Sequence, residues 1–382
     1  MKNKLLILGT RGIPAGHGGF ETFAERLALY LVKRGWDITV YCQVNCQKIV
    51  QKKWKNINLV YIPSKDDSAL DSIIFDYKST IHALKKEGLI LVLGYNTACF
   101  SFLYWLKKRA SIMNMDGMEW WRSKWNFWQK KWLFFNERCG TFFSNHLVAD
   151  HPQIKKHLID QVSPSKVKVI PYATEKVTEV DRSWLKPYQL SPNQYLLVIA
   201  RPEPENSILE IVSAFSQRKW GMKLVVLGRY LPQRIPYHRK VMQAASDEVI
   251  FTGAIYEKEI VDTLRFFTRL YIHGHTVGGT NPSLVEALAA GSPVLAQDNA
   301  FNRWVAGDRA HYFKNQAHCL QKLKQLLDNT DELKKMKIFS TIRYEEQFSD
   351  NGDVKAYEEL LSAYITKEKI LTMASKSNIK GE

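Results

Sequence analysis

Residues 4–33 of the chain read KLLILGTRGIPAGHGGFETFAERLALYLVK, and this stretch determines the fold that the sequence predicts. The apolar run Leu5–Leu8 predicts a β-strand, and the eleven residues that follow it, Gly9–Gly19, include five glycines. From Phe20 to Lys33, apolar residues recur every three or four positions, which predicts an amphipathic helix. Strand, glycine-rich turn and helix make one βα unit, the building block of a parallel α/β sheet.

The alternation of strand and helix continues along the chain. In the N-terminal half, apolar runs predict further strands at residues 38–41, 59–62, 89–93, 110–113, 147–149 and 167–170. In the C-terminal half, they predict strands at 195–199, 223–227, 249–252, 270–273 and 293–296. Helices are predicted between these strands near 205–216, 237–245, 257–266 and 282–290. This order is typical of doubly wound sheets.

With 382 residues, the chain is longer than one compact core usually allows, so we expect two domains. The predicted parts are a Rossmann-like domain over 1–175, a linker over 176–193, a second Rossmann-like domain over 194–348, a C-terminal helix over 349–369 that packs back toward the first domain, and a flexible tail over 370–382. Because ligands of such sheets bind beyond the carboxyl ends of the strands, we expect a cleft site between the domains.

Composition limits the classes of function. The formal net charge is +16, and residues 1–180 carry 27 lysines and arginines against 15 acidic residues. This excess indicates an anionic partner, with ordinary solvated surface charge as the alternative. No apolar run reaches the ~18–20 residues of a spanning helix, and the apolar start is too short for a signal peptide. The five cysteines are scattered, which favours a cytoplasmic protein without a disulfide framework or a zinc site.

The glycine-rich turn is a candidate phosphate site. Glycines let backbone N–H groups approach a phosphate, and Gly18 and Gly19 stand where the helix begins and its dipole favours negative charge. The turn matches neither G-x-G-x-x-G nor a P-loop, which disfavours a dinucleotide cofactor. The alternative is a flexible loop without a ligand.

A second glycine-rich segment, HTVGGTNPSLVE at 275–286, follows a predicted strand. Asn281 is a candidate N-cap and Pro282 suits the first helical position. The backbone N–H groups of Ser283 and Leu284 would then point at an anion, and Glu286 could accept hydrogen bonds from ribose hydroxyls. The alternative role for Glu286 is compensation of the helix dipole.

Several segments are similar to one known family. The stretch GGTNPSLVEALAAGSPV at 278–294 resembles the donor-site signature of glycosyltransferase family 4, whose members have the GT-B fold. Residues 9–41 resemble a subgroup that includes bacterial rhamnosyltransferases of cell-wall and capsule polysaccharide assembly. Further matches are MDGMEW at 115–120, ARPEPEN at 200–206 and DNAFNR at 298–303.

The resemblance implies an α/β protein of two Rossmann-like domains that transfers a sugar with retention of configuration and without a metal or other cofactor. It implies a nucleotide-sugar donor, with dTDP-L-rhamnose as the best candidate, and a lipid-linked or polysaccharide acceptor. The implied catalytic residues are Asp116, Arg201 and Glu286. The implied donor-binding residues are Gly18, Gly19, Arg201, Asn206, Gly279, Thr280, Asn281, Ser283, Leu284 and Glu286.

The chain departs from the family pattern at two positions. The first of two glutamates in the usual motif is Gly278, and the lysine that usually accompanies Arg201 is Asn206. The loss of one carboxylate suggests a deoxysugar or another less polar donor sugar. Arg201 can contact a phosphate in bidentate fashion, and its alternative is an ordinary surface arginine.

Asp116 and Glu119 follow a predicted strand and are candidates for orienting the acceptor hydroxyl or taking its proton, with Asp116 preferred. The alternative for Asp116 is a turn-capping role beside Gly117.

The stretch 120–135, WWRSKWNFWQKKWLFF, holds five of the eleven tryptophans and four basic residues. Trp121, Trp125, Trp128, Trp132 and Phe135 follow helical spacing, which predicts one aromatic stripe. A basic helix of this kind suits an anionic membrane interface or a glycolipid groove. The alternative is a helix whose aromatics pack into the core. The predicted acceptor and membrane residues are Glu119, Trp120, Trp121, Arg122, Lys124, Trp125 and Trp128.

Three other functions compete with this one. A GT-B-like nucleotide-sugar epimerase or hydrolase would share the donor site without an acceptor surface. A nucleic-acid-binding protein would explain the charge, but no recognition motif is present. A catalytically inactive nucleotide-sugar binding module would explain the two departures. The preferred location is the cytoplasm, at the inner face of the membrane.

Overall fold

The computed structural model describes residues 2–16, 18–45, 47–65, 68–122, 124–349 and 351–378. The chain forms two compact units. The N-terminal unit comprises Met1–Trp120, Phe127–Ile170 and Asp353–Glu382, and the C-terminal unit comprises Trp121–Asn126 and Pro171–Gly352. Each unit has its own sheet.

The sheet of the N-terminal unit has eight strands in the order β3-β4-β2-β1-β5-β6-β7-β8. The strands are β1 (Lys4–Leu8), β2 (Asp37–Val44), β3 (Val50–Trp54), β4 (Ile57–Pro63), β5 (Leu89–Leu93), β6 (Ser111–Asn114), β7 (His146–Ala149) and β8 (Val167–Val169). All neighbours are parallel except β3 and β4. The helices are α1 (Gly19–Lys33), α2 (Ala69–Ala83), α3 (Ser101–Leu106), α4 (Phe127–Phe143) and α5 (Pro152–Ile159).

The predicted first βα unit is present, and Leu5, Leu6, Ile7 and Leu8 are all buried. Burial on both faces explains why this strand is continuously apolar rather than alternating. The sequence did not predict β3 at the sheet edge, because its central residues are polar (QKK) and exposed.

The sheet of the C-terminal unit has six parallel strands in the order β11-β10-β9-β12-β13-β14. They are β9 (Tyr195–Ile199), β10 (Lys223–Leu227), β11 (Val249–Gly253), β12 (Leu270–His273), β13 (Val294–Gln297) and β14 (His311–Phe313). The helices are α6 (Ile208–Phe215), α7 (Pro236–Gln243), α8 (Lys258–Phe267), α9 (Pro282–Ala289), α10 (Ala300–Ala306), α11 (Gln316–Leu327) and α12 (Thr330–Gln347). The three-residue β14 was not predicted.

The stretch predicted as a linker differs from the expectation. The C-terminal unit begins at Pro171, and residues 176–193 contain a 3-10 helix, Arg182–Tyr188. Leu185 and Leu190 are buried in the core of that unit. These two apolar side chains anchor a segment whose sequence lacks periodicity.

The final helix, α13 (Gly352–Asn378), belongs to the N-terminal unit. Its Val354, Tyr357 and Leu361 are buried in the core of that unit, and Arg26 pairs with Asp353 at 2.7 Å. The predicted flexible tail from 370 is helical as far as Asn378, since no glycine or proline interrupts the helix there. Residues 379–382 of that tail lie outside the described residues. Within the described part of the chain, no helix is both long enough and apolar enough to cross a membrane.

Candidate functional site

Two loops of the C-terminal unit meet beyond the carboxyl ends of neighbouring strands. Because β9 pairs with β12, the loops that follow these strands lie side by side. The backbone N–H and the hydroxyl of Thr276 both donate to the carbonyl oxygen of Glu205, each at 2.9 Å. A Cβ atom at Gly274 would lie 2.1 Å from the carbonyl oxygen of Asn206, so the approach requires glycine. These contacts hold together the loops that carry the predicted donor residues.

Within the first loop, Asn206 and Arg201 have different environments. Asn206 is buried, and its Nδ2 donates to the Arg201 carbonyl oxygen at 2.7 Å. The Arg201 side chain belongs to an exposed residue at the mouth of the site. Asn206 therefore braces the loop, whereas Arg201 carries positive charge where a ligand can reach it.

The second loop leads into α9, whose start agrees with the sequence. Asn281 is the N-cap and Pro282 the first helical residue, as predicted. The Ser283 N–H donates to Asn281 Oδ1 at 3.1 Å, and the Leu284 N–H donates to the Asn281 carbonyl oxygen at 3.1 Å. The expectation that both N–H groups point at an anion is therefore corrected, because the Asn281 cap accepts from them. Gly279 and the buried Thr280 form the turn before the cap.

Two cavities of the C-terminal unit open at these loops. The larger has a volume of ≈ 590 Å³, within the usual range for small-molecule sites, and is lined by Arg201, Arg265, His275, Asn281, Ser283 and Glu286 among others. The smaller is lined by Arg122, Lys124, Arg201, Glu203, Glu205, Asn206, His275 and Asn281. A third cavity of the same unit, beside β14, contains none of the predicted site residues.

Glu286 already has protein partners in the larger cavity. Its Oε2 accepts from Nη2 of Arg265 at 2.5 Å, and its Oε1 accepts from the Tyr172 hydroxyl at 3.3 Å. The Arg265 side chain is 5% exposed and that of Glu286 is 28% exposed. The carboxylate is thus fixed in position yet accessible. Sequence reasoning missed Arg265 and Tyr172, because neither belongs to a motif.

A pair of stacked imidazoles lies behind the same loops. The ring centroids of His273 and His275 are 4.3 Å apart, and the two ring planes are nearly parallel, with an angle of 11° between them. His275 Nδ1 and both ring nitrogens of His273 are buried without a hydrogen-bond partner. Burial, and then the charges of Arg122 and Arg201, lower the pKa of His275 to about 3, so its ring is neutral. His275 stands within the motif quoted above, but the motif gave it no role.

Arg122 and Lys124 precede α4, which begins at Phe127. The segment Trp121–Asn126 belongs to the C-terminal unit, where both side chains line the smaller cavity with Arg201. Arg122 Nη1 lies 3.3 Å from Glu205 Oε1. Both side chains therefore lie at the loops that carry the predicted donor residues, and their acceptor role stays a prediction. The sequence did not predict this position, because the spacing of the aromatic residues around Arg122 and Lys124 indicated one continuous helix.

The glycine-rich turn of the N-terminal unit is held by two carboxylates. The Arg11 N–H donates to Glu21 Oε1 at 2.9 Å, and the Ala15 N–H donates to Glu25 Oε2 at 2.7 Å. Gly18 is the N-cap of α1 with φ +109°, a conformation that favours glycine, and Gly19 begins the helix. The turn thus offers fewer N–H groups to a phosphate than its sequence suggests.

Asp116 follows β6 in a left-handed conformation, with φ +50°. Its N–H donates to Asn114 Oδ1 at 2.8 Å. Strained positions of this kind concentrate at functional sites, and Asn and Asp tolerate them best. Glu119 is buried, and its N–H donates to the Tyr95 hydroxyl at 2.9 Å. Asp116 is therefore the more accessible of the two predicted carboxylates.

The aromatic stretch is not one helix. A 3-10 turn covers Glu119–Trp121, and α4 begins only at Phe127, so Trp121 and Trp125 do not share a helical stripe with the later aromatics. Trp120 Nε1 donates to Glu137 Oε2 at 2.8 Å. The alternative of a core-packing helix is also wrong, since Trp128 is 77% exposed and Phe135 53% exposed.

Comparison with known proteins identifies the fold. Residues 2–175 match the family described as "Domain of unknown function (DUF1972)". No curated protein matches the sequence. Among solved structures, a sucrose-phosphate synthase from Thermosynechococcus elongatus superposes with a TM-score of 0.81 at 14% identity, over 96% of this chain and 100% of that one.

Two further structures agree. HepE of Anabaena, in complex with UDP and glucose, gives a TM-score of 0.73 at 14% identity over 94% of this chain and 100% of its own. An α,α-trehalose 6-phosphate synthase from Burkholderia multivorans gives 0.74 at 9% identity, covering 97% and 98%. The chain therefore has the α/β fold with parallel sheets of the GT-B glycosyltransferases.

Proposed function

We propose that this protein is a glycosyltransferase that binds a nucleotide-sugar donor at the two cavities of its C-terminal unit. The observation that carries the proposal is the convergence of Arg201, Asn281 and Glu286 on one ≈ 590 Å³ cavity beyond adjacent strand ends. The similar HepE structure contains UDP and glucose, which supports a donor of this class. In this assignment, Glu286 contacts the ribose and Arg201 the diphosphate.

The proposed reaction exchanges one bond at the anomeric carbon for another. The bond from that carbon to the diphosphate oxygen breaks, a bond to the acceptor oxygen forms, and the acceptor hydroxyl loses its proton. Negative charge develops on the leaving diphosphate, and Arg201 stabilises it through a preorganised contact. We assign the acceptor proton to Asp116. Retention of configuration and independence from metal ions are part of the proposal.

The donor sugar we propose is L-rhamnose, carried by dTDP. The support is the backbone at Gly278, whose φ of +144° strains any residue with a side chain. A loop shaped for glycine cannot readily supply a carboxylate to the sugar at this position. A deoxysugar, with fewer hydroxyl groups to satisfy, suits such a site.

The acceptor we propose is lipid-linked and reached at an anionic membrane surface. Exposed aromatic and basic residues of α4 follow helical spacing and share one face: Phe127, Trp128, Lys131, Phe135, Arg138 and Phe142. The packed neighbour α3 adds exposed aromatics, Phe102 and Trp105.

Basic residues dominate the charge of α3 and α4. The only acidic residue in α3 and α4 is Glu137, which is buried and hydrogen-bonded to His157. An exposed face of aromatic and basic side chains is the pattern of interfacial helices, and the inner leaflet supplies the complementary negative charge. This surface favours a transferase over an epimerase or hydrolase, because those enzymes need no acceptor.

Thermal unfolding with nucleotides tests the proposal. We expect dTDP or dTDP-rhamnose, at ~100 times its dissociation constant, to stabilise the protein by roughly 2.7 kcal/mol, with UDP and GDP as comparisons. A shift with UDP alone would retain the transferase and discard rhamnose. Binding without release of nucleoside diphosphate in the presence of glycolipid acceptor would favour the inactive module. No shift with any nucleotide would contradict the proposed function.

A further inference from the structure

The donor-side loops supply little positive charge of their own. A nucleoside diphosphate carries two to three negative charges, and cations must offset them once the group leaves bulk water. In the loop after β9, Arg201 is the one basic residue, since Asn206 is neutral and donates to the Arg201 carbonyl oxygen. The loop after β12 contributes His275, whose lowered pKa leaves it neutral. A second cation must therefore come from outside these two loops. The other lysines and arginines that line the two cavities are Arg122, Lys124, Arg229 and Arg265.

Arg122 is in position to be that cation. It lines the smaller cavity together with Arg201, Asn206 and His275, although 79 positions separate it from Arg201 in the sequence. Its side chain is 19% exposed, so its charge is only partly hydrated. Arginine presents its donors in a planar fork that matches phosphate oxygens.

Arg122 lies beside a carboxylate of the loop that follows β9. Its Nη1 is 3.3 Å from Glu205 Oε1, longer than the ~2.7–2.9 Å of a strong charge-assisted hydrogen bond. The backbone of Glu205 is held by Thr276, because its carbonyl oxygen accepts two bonds from that residue. The guanidinium is therefore positioned at the smaller cavity by a residue of the loop that carries Arg201.

The lowered pKa of His275 also indicates that Arg122 and Arg201 lie near the same ring. The positive charges of Arg122 and Arg201 both act on the His275 ring and help to lower its pKa. Both guanidinium groups thus act on one neutral imidazole and line the same cavity. A bound anion would be attracted by both positive charges.

We propose that Arg122 is a second diphosphate-binding residue of the donor site, so that the diphosphate lies between Arg201 and Arg122. This inference rests on the proposed function, because it assigns the diphosphate of the nucleotide-sugar to these cavities. Arg122 then binds the donor and stabilises the charge that develops on the leaving group.

The test is a titration of the full chain with dTDP, UDP and GDP, followed for the tightest binder with its monophosphate and nucleoside. We expect Arg122→Gln to weaken diphosphate affinity at least tenfold and nucleoside affinity less than twofold. The matched control is Arg182→Gln, at an exposed position outside both cavities, which should bind as wild type does.

A double variant separates ligand contact from a structural role. If Arg122 only neutralises Glu205, then Arg122→Gln with Glu205→Gln restores wild-type affinity, and the inference is overturned. If Arg122 contacts the diphosphate, the double variant stays as weak as Arg122→Gln. Unchanged affinity in Arg122→Gln would overturn this inference alone. If the wild type binds no nucleotide, the proposed function fails with it.

Discussion

Nη2 of Arg265 lies 2.5 Å from Oε2 of Glu286, so the carboxylate assigned to the ribose is already half of an ion pair. Asp262 lies 3.7 Å from Nη1 of the same arginine, which therefore bridges two carboxylates. Because Arg265 is 5% exposed, loss of either partner leaves charge in a poorly hydrated place. The pair links the stability of the C-terminal unit to the geometry of its cavity.

We expect Arg265→Gln to lower the free energy of unfolding by about 1–3 kcal/mol. This is less than the ~3–5 kcal/mol typical of a fully buried pair, because the Glu286 side chain is 28% exposed. Glu286→Gln should also destabilise the protein, because it removes a carboxylate partner from the poorly hydrated charge of Arg265. The measurement is a double-mutant cycle by denaturant unfolding of both single variants and the double variant. Additive effects within about 0.3 kcal/mol would show that the pair does not couple.

Asp116→Asn should abolish sugar transfer while leaving nucleotide affinity within twofold of wild type. The reason is that asparagine tolerates the φ of +50° at this position but cannot take the acceptor proton. The measurements are a transfer assay and a nucleotide titration on the same preparation. Asp116→Glu, which keeps the carboxyl group, is the control for chemistry. Transfer by Asp116→Asn at the wild-type rate would eliminate Asp116 as the base.

His146 should make the folded protein sensitive to acid. Burial, and then Lys168, Lys166 and Lys155, lower the pKa of His146 to about 4, and its Nε2 is buried without a partner. The unfolded chain binds this proton below about pH 6.5, but the folded chain binds it only below about 4. His146 therefore does not affect the free energy of unfolding above about pH 6.5. As the pH falls from 6.5 toward 4, protonation of the unfolded chain lowers that free energy.

We expect the unfolding free energy of the wild type to fall by about 1–2 kcal/mol more than that of His146→Gln between pH 7 and pH 5. Other groups titrate in the same window: burial raises the pKa of Asp76 to about 6, which acts in the opposite direction. Calorimetry of both proteins removes the contribution of such groups, because they contribute equally to the unfolding free energies of wild type and variant. An identical pH dependence would mean that His146 is not held neutral.

How far the sequence predicts this molecule depends on the range of the interactions concerned. Local patterns suffice for β1, α1 and the α9 cap at Asn281, because strand burial, helical periodicity and N-capping are set by neighbouring residues. The contacts of Arg265 and Tyr172 with Glu286 join residues far apart in sequence, and no local pattern predicts them.

The aromatic stretch shows the same limit. Spacing predicts one helix through Trp121 and Trp125, but α4 begins at Phe127 and the preceding residues pack in the C-terminal unit. The periodic pattern is real over α4, where Trp128 and Phe135 are exposed. Tertiary packing, not local spacing, decides to which of the two units a residue near their boundary belongs. Packing therefore places Arg122 in the C-terminal unit.

The exposed face of α4 should bind anionic membranes. We expect the full chain to sediment with phosphatidylglycerol-containing vesicles at low salt and to be released as salt rises, because Lys131 and Arg138 contribute electrostatic attraction. Trp128→Ser with Phe135→Ser should weaken this binding roughly tenfold or more, since each buried aromatic contributes about 1.5–3 kcal/mol on transfer from water.

The matched control is Trp184→Ser, which removes an exposed tryptophan of the C-terminal unit and should leave vesicle binding unchanged. A charge variant, Lys131→Gln with Arg138→Gln, should reduce the salt dependence while keeping residual binding through the aromatics. Neutral phosphatidylcholine vesicles separate the two contributions, because only the apolar term remains there. If the wild type stays in the supernatant with anionic vesicles at low salt, the aromatic face serves another partner and the membrane-bound acceptor is disproved.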